Sequence, residues 1–354
     1  MTAQPPPARP LLLGMYHVTP LAPDRVQVGN AGRSIVLSGQ RITERLTPLL
    51  RALDGRHTVD ELTRRFPGLV PDALEALVEK GFLVDGAGGE DDSSITARLT
   101  ATALSCASSP VDLATSLAAA TMVLSGCGPV GGMVAVGLAK AGIGRLFLAD
   151  PQPTSSRDVA LSCVLPLASE GRPRTEVVGA LCKEVGATLA QPVPRPLPPD
   201  ALREVDLALI EVGYEVNGRA SPDADTCLSS GTTYLPYTQD GLDVVIGPMV
   251  LAGTGPCHRC LESRRQSHLA HLAEDLAYHQ CRFQTAPRAD TFLAAHNSIV
   301  AGVLATECLA FLVSEPRTRG AVLVIDLAGM TMVHEALPRV PDCLGCDPAT
   351  RGFT

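Results

Sequence analysis

The stretch Thr121–Asp150, TMVLSGCGPVGGMVAVGLAKAGIGRLFLAD, decides the fold. Met122–Leu124 reads as a buried strand, Gly126-Cys127-Gly128-Pro129-Val130-Gly131 is a G-x-G-x-x-G turn, and Met133–Lys140 is an apolar helix. Leu146–Ala149 is a second strand ending at Asp150, 19 residues after Gly131. The glycines allow a tight turn and close approach of a phosphate. The helix N-terminus attracts an anion, and the acid ending the second strand suits a ribose. The expected architecture is a Rossmann-type, doubly wound α/β domain with Gly126, Gly128, Gly131 and Asp150 at its crevice.

The same region tests a second idea. No residue from Leu113 to Ala139 is charged, which is long enough for a membrane span. Its glycines and Pro129 interrupt any single helix, so strand, loop and helix are expected instead. The N-terminus has one basic residue and no small-residue cleavage site, unlike a signal peptide. A cytoplasmic protein is the expectation. A formal charge of −8 over 354 residues argues against a nucleic-acid binder. The basic residues are 26 arginines and only three lysines, Lys80, Lys140 and Lys183, so lysine chemistry has three candidates.

Downstream, Cys257-His258-Arg259-Cys260 and Cys343-Leu344-Gly345-Cys346 are two C-x-x-C knuckles, 82 residues apart. Two such turns close a four-thiolate site for one structural zinc, with no open position for water. His258 is read as an exposed bystander. The other seven of the 11 cysteines (106, 127, 163, 182, 227, 281 and 308) lie mostly in apolar contexts and read as small core residues.

Residues 11–86 form an N-terminal unit of three strands and three helices. The runs LLLGMYHV, RVQVGN (25–30) and RSIVLSG (33–39) are β-type. Residues 41–55 carry a helical apolar face, Thr58 and Glu61 make a capping box, and a third helix starts at Pro71-Asp72. It stops at Gly81, before a short extended FLV. Residues 87–95, AGGEDDSSI, read as a linker, which leaves 96–354 for the α/β domain.

The N-terminal order, with its DG…T-x-x-EL link and terminal GFL, resembles the PqqD-like peptide-recognition domain, a winged-helix-like fold. That resemblance implies that a leader peptide adds a strand at Ser34, Ile35, Val36 and Leu37 and packs on Leu74, Leu77, Val78 and Gly81. The acidic third helix (Asp72, Glu75, Glu79) opposes the DNA-binding alternative. The glycine loop, Asp150 and the knuckles resemble the ThiF/MoeB-like adenylating superfamily. Ile246-Gly247-Pro248-Met249-Val250, Gly253-Thr254 and Arg264-Arg265 sharpen this toward the ThiF-like partner proteins of azoline-forming peptide cyclodehydratases. The resemblance implies capture of a precursor's leader and its delivery to a separate YcaO-type, ATP-dependent cyclodehydratase. It also implies a homodimer.

Adenylating members carry a second acid, an Asn, an Arg, a Lys and a later Asp. Gln152, Asp158, Leu161, Arg174 and Gly213 stand at those places here. An arginine fork does not replace a compact ammonium, and the lost acids remove oxygen ligands for Mg²⁺. ATP use is therefore not expected, and no catalytic residue is assigned. Two alternatives remain: an ATP-dependent enzyme activating a peptide or carrier-protein C-terminus, and an NAD-type oxidoreductase. The latter lacks a hydride-transfer constellation, and His296-Asn297 reads as core.

Overall fold

The computed structural model describes residues 7–14, 16–30, 32–79, 82–86, 110–187, 189–212, 221–251, 253–284 and 293–347. The chain divides into two units, Met1–Leu117 and Ala118–Thr354. The linker residues 87–95, Gly81, Lys80 and Gly213 lie outside the described residues.

In the first unit the expected single strand LLLGMYHV is two. Strand β1 (Pro10–Leu12) pairs antiparallel with β5 (Leu83–Asp85), and β2 (His17–Ala22) begins a separate sheet with β3 (Arg25–Gly29) and β4 (Ser34–Ser38). The expectation of three strands is thus corrected to five in two sheets among the described residues. The turn at Leu13–Tyr16, closed by the Tyr16 N–H donating to the Leu13 carbonyl, breaks the run. Helices α1 (Ile42–Ala52), α2 (Val59–Arg65) and α3 (Val70–Glu79) cover a core containing Val26, Val28, Leu49, Leu62, Leu77 and Phe82. Helix α2 starts as expected. The Glu61 N–H donates to Thr58 Oγ1 (3.3 Å), and the Thr58 N–H donates to Glu61 Oε2 (2.9 Å).

The second unit is built on an eight-stranded sheet of order β13-β12-β11-β10-β9-β6-β7-β8. Strands β6 (Thr121–Ser125), β7 (Arg145–Ala149), β8 (Leu189–Pro192), β9 (Leu207–Glu211) and β10 (Tyr234–Asp240) are parallel. They run in the Rossmann order outward from β6. Strand β6 is buried throughout, as its uninterrupted apolar run requires. Helix α4 (Pro110–Ala119) precedes it and α5 (Pro129–Lys140) follows, so residues 113–139 do not form one helix.

The doubly wound expectation needs one correction, because the far edge is antiparallel. Strands β11 (Asp243–Ile246), β12 (Ala321–Asp326) and β13 (Thr331–Ala336) extend the sheet beyond β10. Tight turns join β10 to β11 and β12 to β13, which suits hairpins rather than helical crossovers. The remaining helices are α6 (Ser156–Ala160), α7 (Arg174–Val185), α8 (Pro222–Ser230), α9 (His258–His268), α10 (Leu272–Gln284) and α11 (Ala294–Val313). Helix α11 is apolar and long enough to cross a membrane, but it packs along α5 within this unit.

Candidate functional sites

Chain reversal between β6 and β9 opens a crevice at their carboxyl ends, and the glycine loop lies there. Gly126 has φ +107°, and a Cβ on Gly131 would stand 2.0 Å from the Gly126 carbonyl oxygen, so neither accepts a side chain. Gly128 caps α5 and Pro129 opens it. A cavity of about 500 Å³ in front of the loop is lined by Gln152, Asp158, Arg174, Glu211, Gln239 and Asn297, among others.

Side chains of the chain itself occupy the polar centre of this crevice. Asp150 accepts from the Cys127 N–H (2.8 Å) and the Gln152 N–H (2.9 Å), and Arg174 Nη1 lies 3.2 Å from its Oδ2. The same guanidinium forks onto Asp158, with Nε to Oδ2 at 2.9 Å and Nη2 to Oδ1 at 2.8 Å. Asp158 also closes a capping box with Ser155 at the start of α6. Both carboxylates are buried and Arg174 is largely covered. Burial acts to lower the Arg174 pKa, but the two carboxylates outweigh it and hold the group firmly cationic. Burial and then Asp150 raise the pKa of the loop thiol of Cys127, so it is not a thiolate nucleophile at neutral pH. Lys140 and Lys183 are exposed, and neither lines the cavity.

The second site is the cysteine cluster. Cys257, Cys260, Cys343 and Cys346 are buried, with all four Sγ atoms within 4.8 Å of one another. Cys257 lies 3.8 Å from Cys343 and Cys260 lies 3.4 Å from Cys346, both far beyond a disulfide bond. A zinc ion with sulfurs at about 2.3 Å has tetrahedral edges of about 3.8 Å, so these residues fit such a metal. Cys257 caps α9, and the Val340 N–H points at Cys260 Sγ (3.4 Å), so helix dipole and amide both favour thiolates. A Cβ on Gly345 would lie 2.9 Å from Cys257 Sγ, which fixes a glycine in the second knuckle.

Two cysteine-region expectations are corrected. His258 is buried, not exposed. As the first residue of α9 it turns inward, where Nδ1 meets the Tyr234 hydroxyl, and burial lowers its pKa to about 4. Cys163 is exposed, with Sγ 3.2 Å from Ser298 Oγ. Cys127, Cys182, Cys227 and Cys308 are buried; Cys106 and the Cys281 side chain lie outside the described residues.

In the first unit β4 pairs only with β3 among the described residues, so its outer edge is free there. Ser34 and Val36 point outward, Val36 being 50% exposed, while Ile35 and Leu37 lean on the core. Leu74 and Leu77 are fully core residues, and Val78 is half-buried. The structure therefore separates the expected peptide-binding residues into an accessible strand and a buried helix face. A second cavity of about 500 Å³, between the β10–β13 region and α9, shares no residue with the loop cavity.

This arrangement is a mixed α/β fold with a parallel-rich sheet, an N-terminal unit and a four-cysteine cluster. Solved structures with the same fold include E. coli MccB with AMPCPP and selenomethionine-labelled MccA, with TM-score 0.72 and 17% identity, covering 96% of this chain and 99% of that one. The microcin C7 biosynthetic enzyme MccB in complex with N-formylated MccA matches with TM-score 0.71 and 17% identity, over 96% and 99% of the two chains. PaaA matches with TM-score 0.64 and 14% identity, over 92% and 99%. No protein-family model matches the sequence, and no curated protein does.

Proposed function

We propose that this chain is a leader-peptide-binding partner subunit in the biosynthesis of a ribosomally made, post-translationally modified peptide. Its N-terminal unit, residues 1–86, takes up the precursor's leader as an added strand on Ser34–Leu37. The chain presents the Cys/Ser/Thr-bearing core to a separate YcaO-type cyclodehydratase. That enzyme uses ATP to activate a backbone amide oxygen, so that a thiol or hydroxyl closes an azoline. Tethering raises the local core concentration to about millimolar with a short flexible linker.

The observation that carries this reading is the outer edge of β4, unpaired among the described residues, with backbone donors and acceptors beside the exposed Val36. The MccB complexes with MccA support it by analogy, because a chain of the same fold is seen there with MccA. Cys257, Cys260, Cys343 and Cys346 hold one structural zinc, which ties the C-terminal knuckle to α9. The setting is cytoplasmic, and the partners are the leader, the cyclodehydratase and a second copy of the chain.

The competing reading, an adenylating enzyme acting on a peptide C-terminus, is favoured by AMPCPP in the MccB structure. Calorimetry with a synthetic leader of the precursor this reading requires separates the two. Saturable binding without nucleotide, and no AMP release, is the expected result. No leader binding, or peptide-dependent AMP formation, overturns it.

A further inference from the structure

We infer that Asp158 and Arg174 are the residues that exclude nucleoside triphosphates from the glycine loop, by standing as a built-in ion pair where a phosphate chain would lie. This deepens the non-adenylating reading above and rests on it. The same fold is solved with AMPCPP, which raises the question of whether this crevice fits such a ligand. Two of its donor groups are already committed. The Cys127 N–H at the loop is taken by Asp150, and three N–H vectors of Arg174 are spent on Asp150 and Asp158.

The charge balance points the same way. Asp150, Asp158 and Glu211 converge on the loop, Glu211 so closely that a Cβ on Gly126 would meet its Oε2 at 2.6 Å. A polyphosphate entering here meets Asp150 and Asp158 with Arg174 already paired to both, and Arg157 is the other cation lining the cavity.

The pair is also anchored on both sides. Asp158 is fixed by the Ser155 capping box. The Arg174 backbone N–H donates to the Gln152 carbonyl (3.2 Å), and the Thr154 N–H donates to that of Arg172 (2.7 Å). Loop, α6 and α7 are therefore cross-linked by the chain's own side chains, a task that a bound anion performs in an open crevice of this kind. Asp158 is the specificity-determining member. An asparagine in its place keeps the shape, loses the charge and releases the guanidinium.

The test uses the full-length chain as wild type, Asp158→Asn and Asp158→Asn/Arg174→Lys, with Mg·ATP as the probe in calorimetry and thermal melts. Wild type is expected to give no saturable heat and no shift in melting temperature. The double variant is expected to melt lower without ligand, to regain stability with Mg·ATP, and to bind it at least about tenfold more tightly than wild type. If the double variant does not fold, Asp158→Asn alone is held to the same tightening. Wild type binding as tightly as the folded variants, or folded variants gaining no affinity, overturns the inference. Leader binding, measured on the same samples, moves independently, so failure there counts against the proposed function and not against the plug.

Discussion

The glycine loop and the cysteine cluster lie in one unit and gather like charge in opposite ways. At the loop, buried carboxylates are neutralised from within, by an arginine of the same chain held on two sides. At the cluster, four buried sulfurs face one another at spacings that suit a metal from outside. One site pairs its charges within the chain, and the other has the donor set for a metal. The difference teaches that buried carboxylates can be balanced by a side chain of their own chain, whereas four buried sulfurs at these spacings suit a metal.

The largest expected effect breaks the cluster. Cys343→Ser with Cys346→Ser should lower zinc from about one ion per chain to near zero, and should destabilise the second unit by several kcal/mol. Metal analysis and thermal melts check this. Unchanged zinc content would mean that the knuckles do not share a metal. Next, Arg174→Ala leaves Asp150 and Asp158 as buried acids without their cation. A loss of about 3–5 kcal/mol in denaturant unfolding is expected, the range for breaking a buried pair by deleting one partner. A loss under about 1 kcal/mol would mean the pair behaves as a surface contact.

The first unit gives the smaller effects. Val36→Asp, on the free edge, should weaken leader binding by about tenfold or more while leaving the melting temperature within about 2 °C, since exposed substitutions cost little stability. Binding that survives this change would move the peptide site away from β4. Thr58→Ala should cost about 1 kcal/mol through loss of the α2 cap. The capping hydrogen bond from the Thr58 backbone holds the Glu61 pKa below its ordinary 4.5. Its stabilising contribution is thus present above that value and fades as pH falls through the folded pKa. Because alanine keeps that backbone N–H, an NMR titration of Thr58→Ala should still find the Glu61 pKa below its ordinary value.

Local spacing made much of this legible in sequence. The glycine loop, the capping box and the knuckles are each written within a few residues, so their geometry followed from residue type. The antiparallel edge β11–β13 was not read, because its strands are short and the β11–β12 pairing that joins its two hairpins links distant segments. The replacements at 158 and 174 were visible singly. Their salt bridge was not, because α6 and α7 meet only through the folded crevice. His258 lay next to a well-read motif and was still misplaced, since which way the first residue of α9 faces is set by Tyr234, 24 residues away.

One titration tests the central claim that the chain captures a peptide at β4 without using nucleotide. The full-length protein is titrated with the synthetic leader, with and without Mg·ATP, while AMP release is followed. Saturable binding of one leader per chain, unchanged by ATP and with no AMP formed, is the expected result. Binding that requires ATP, or AMP released in step with added peptide, would contradict the account.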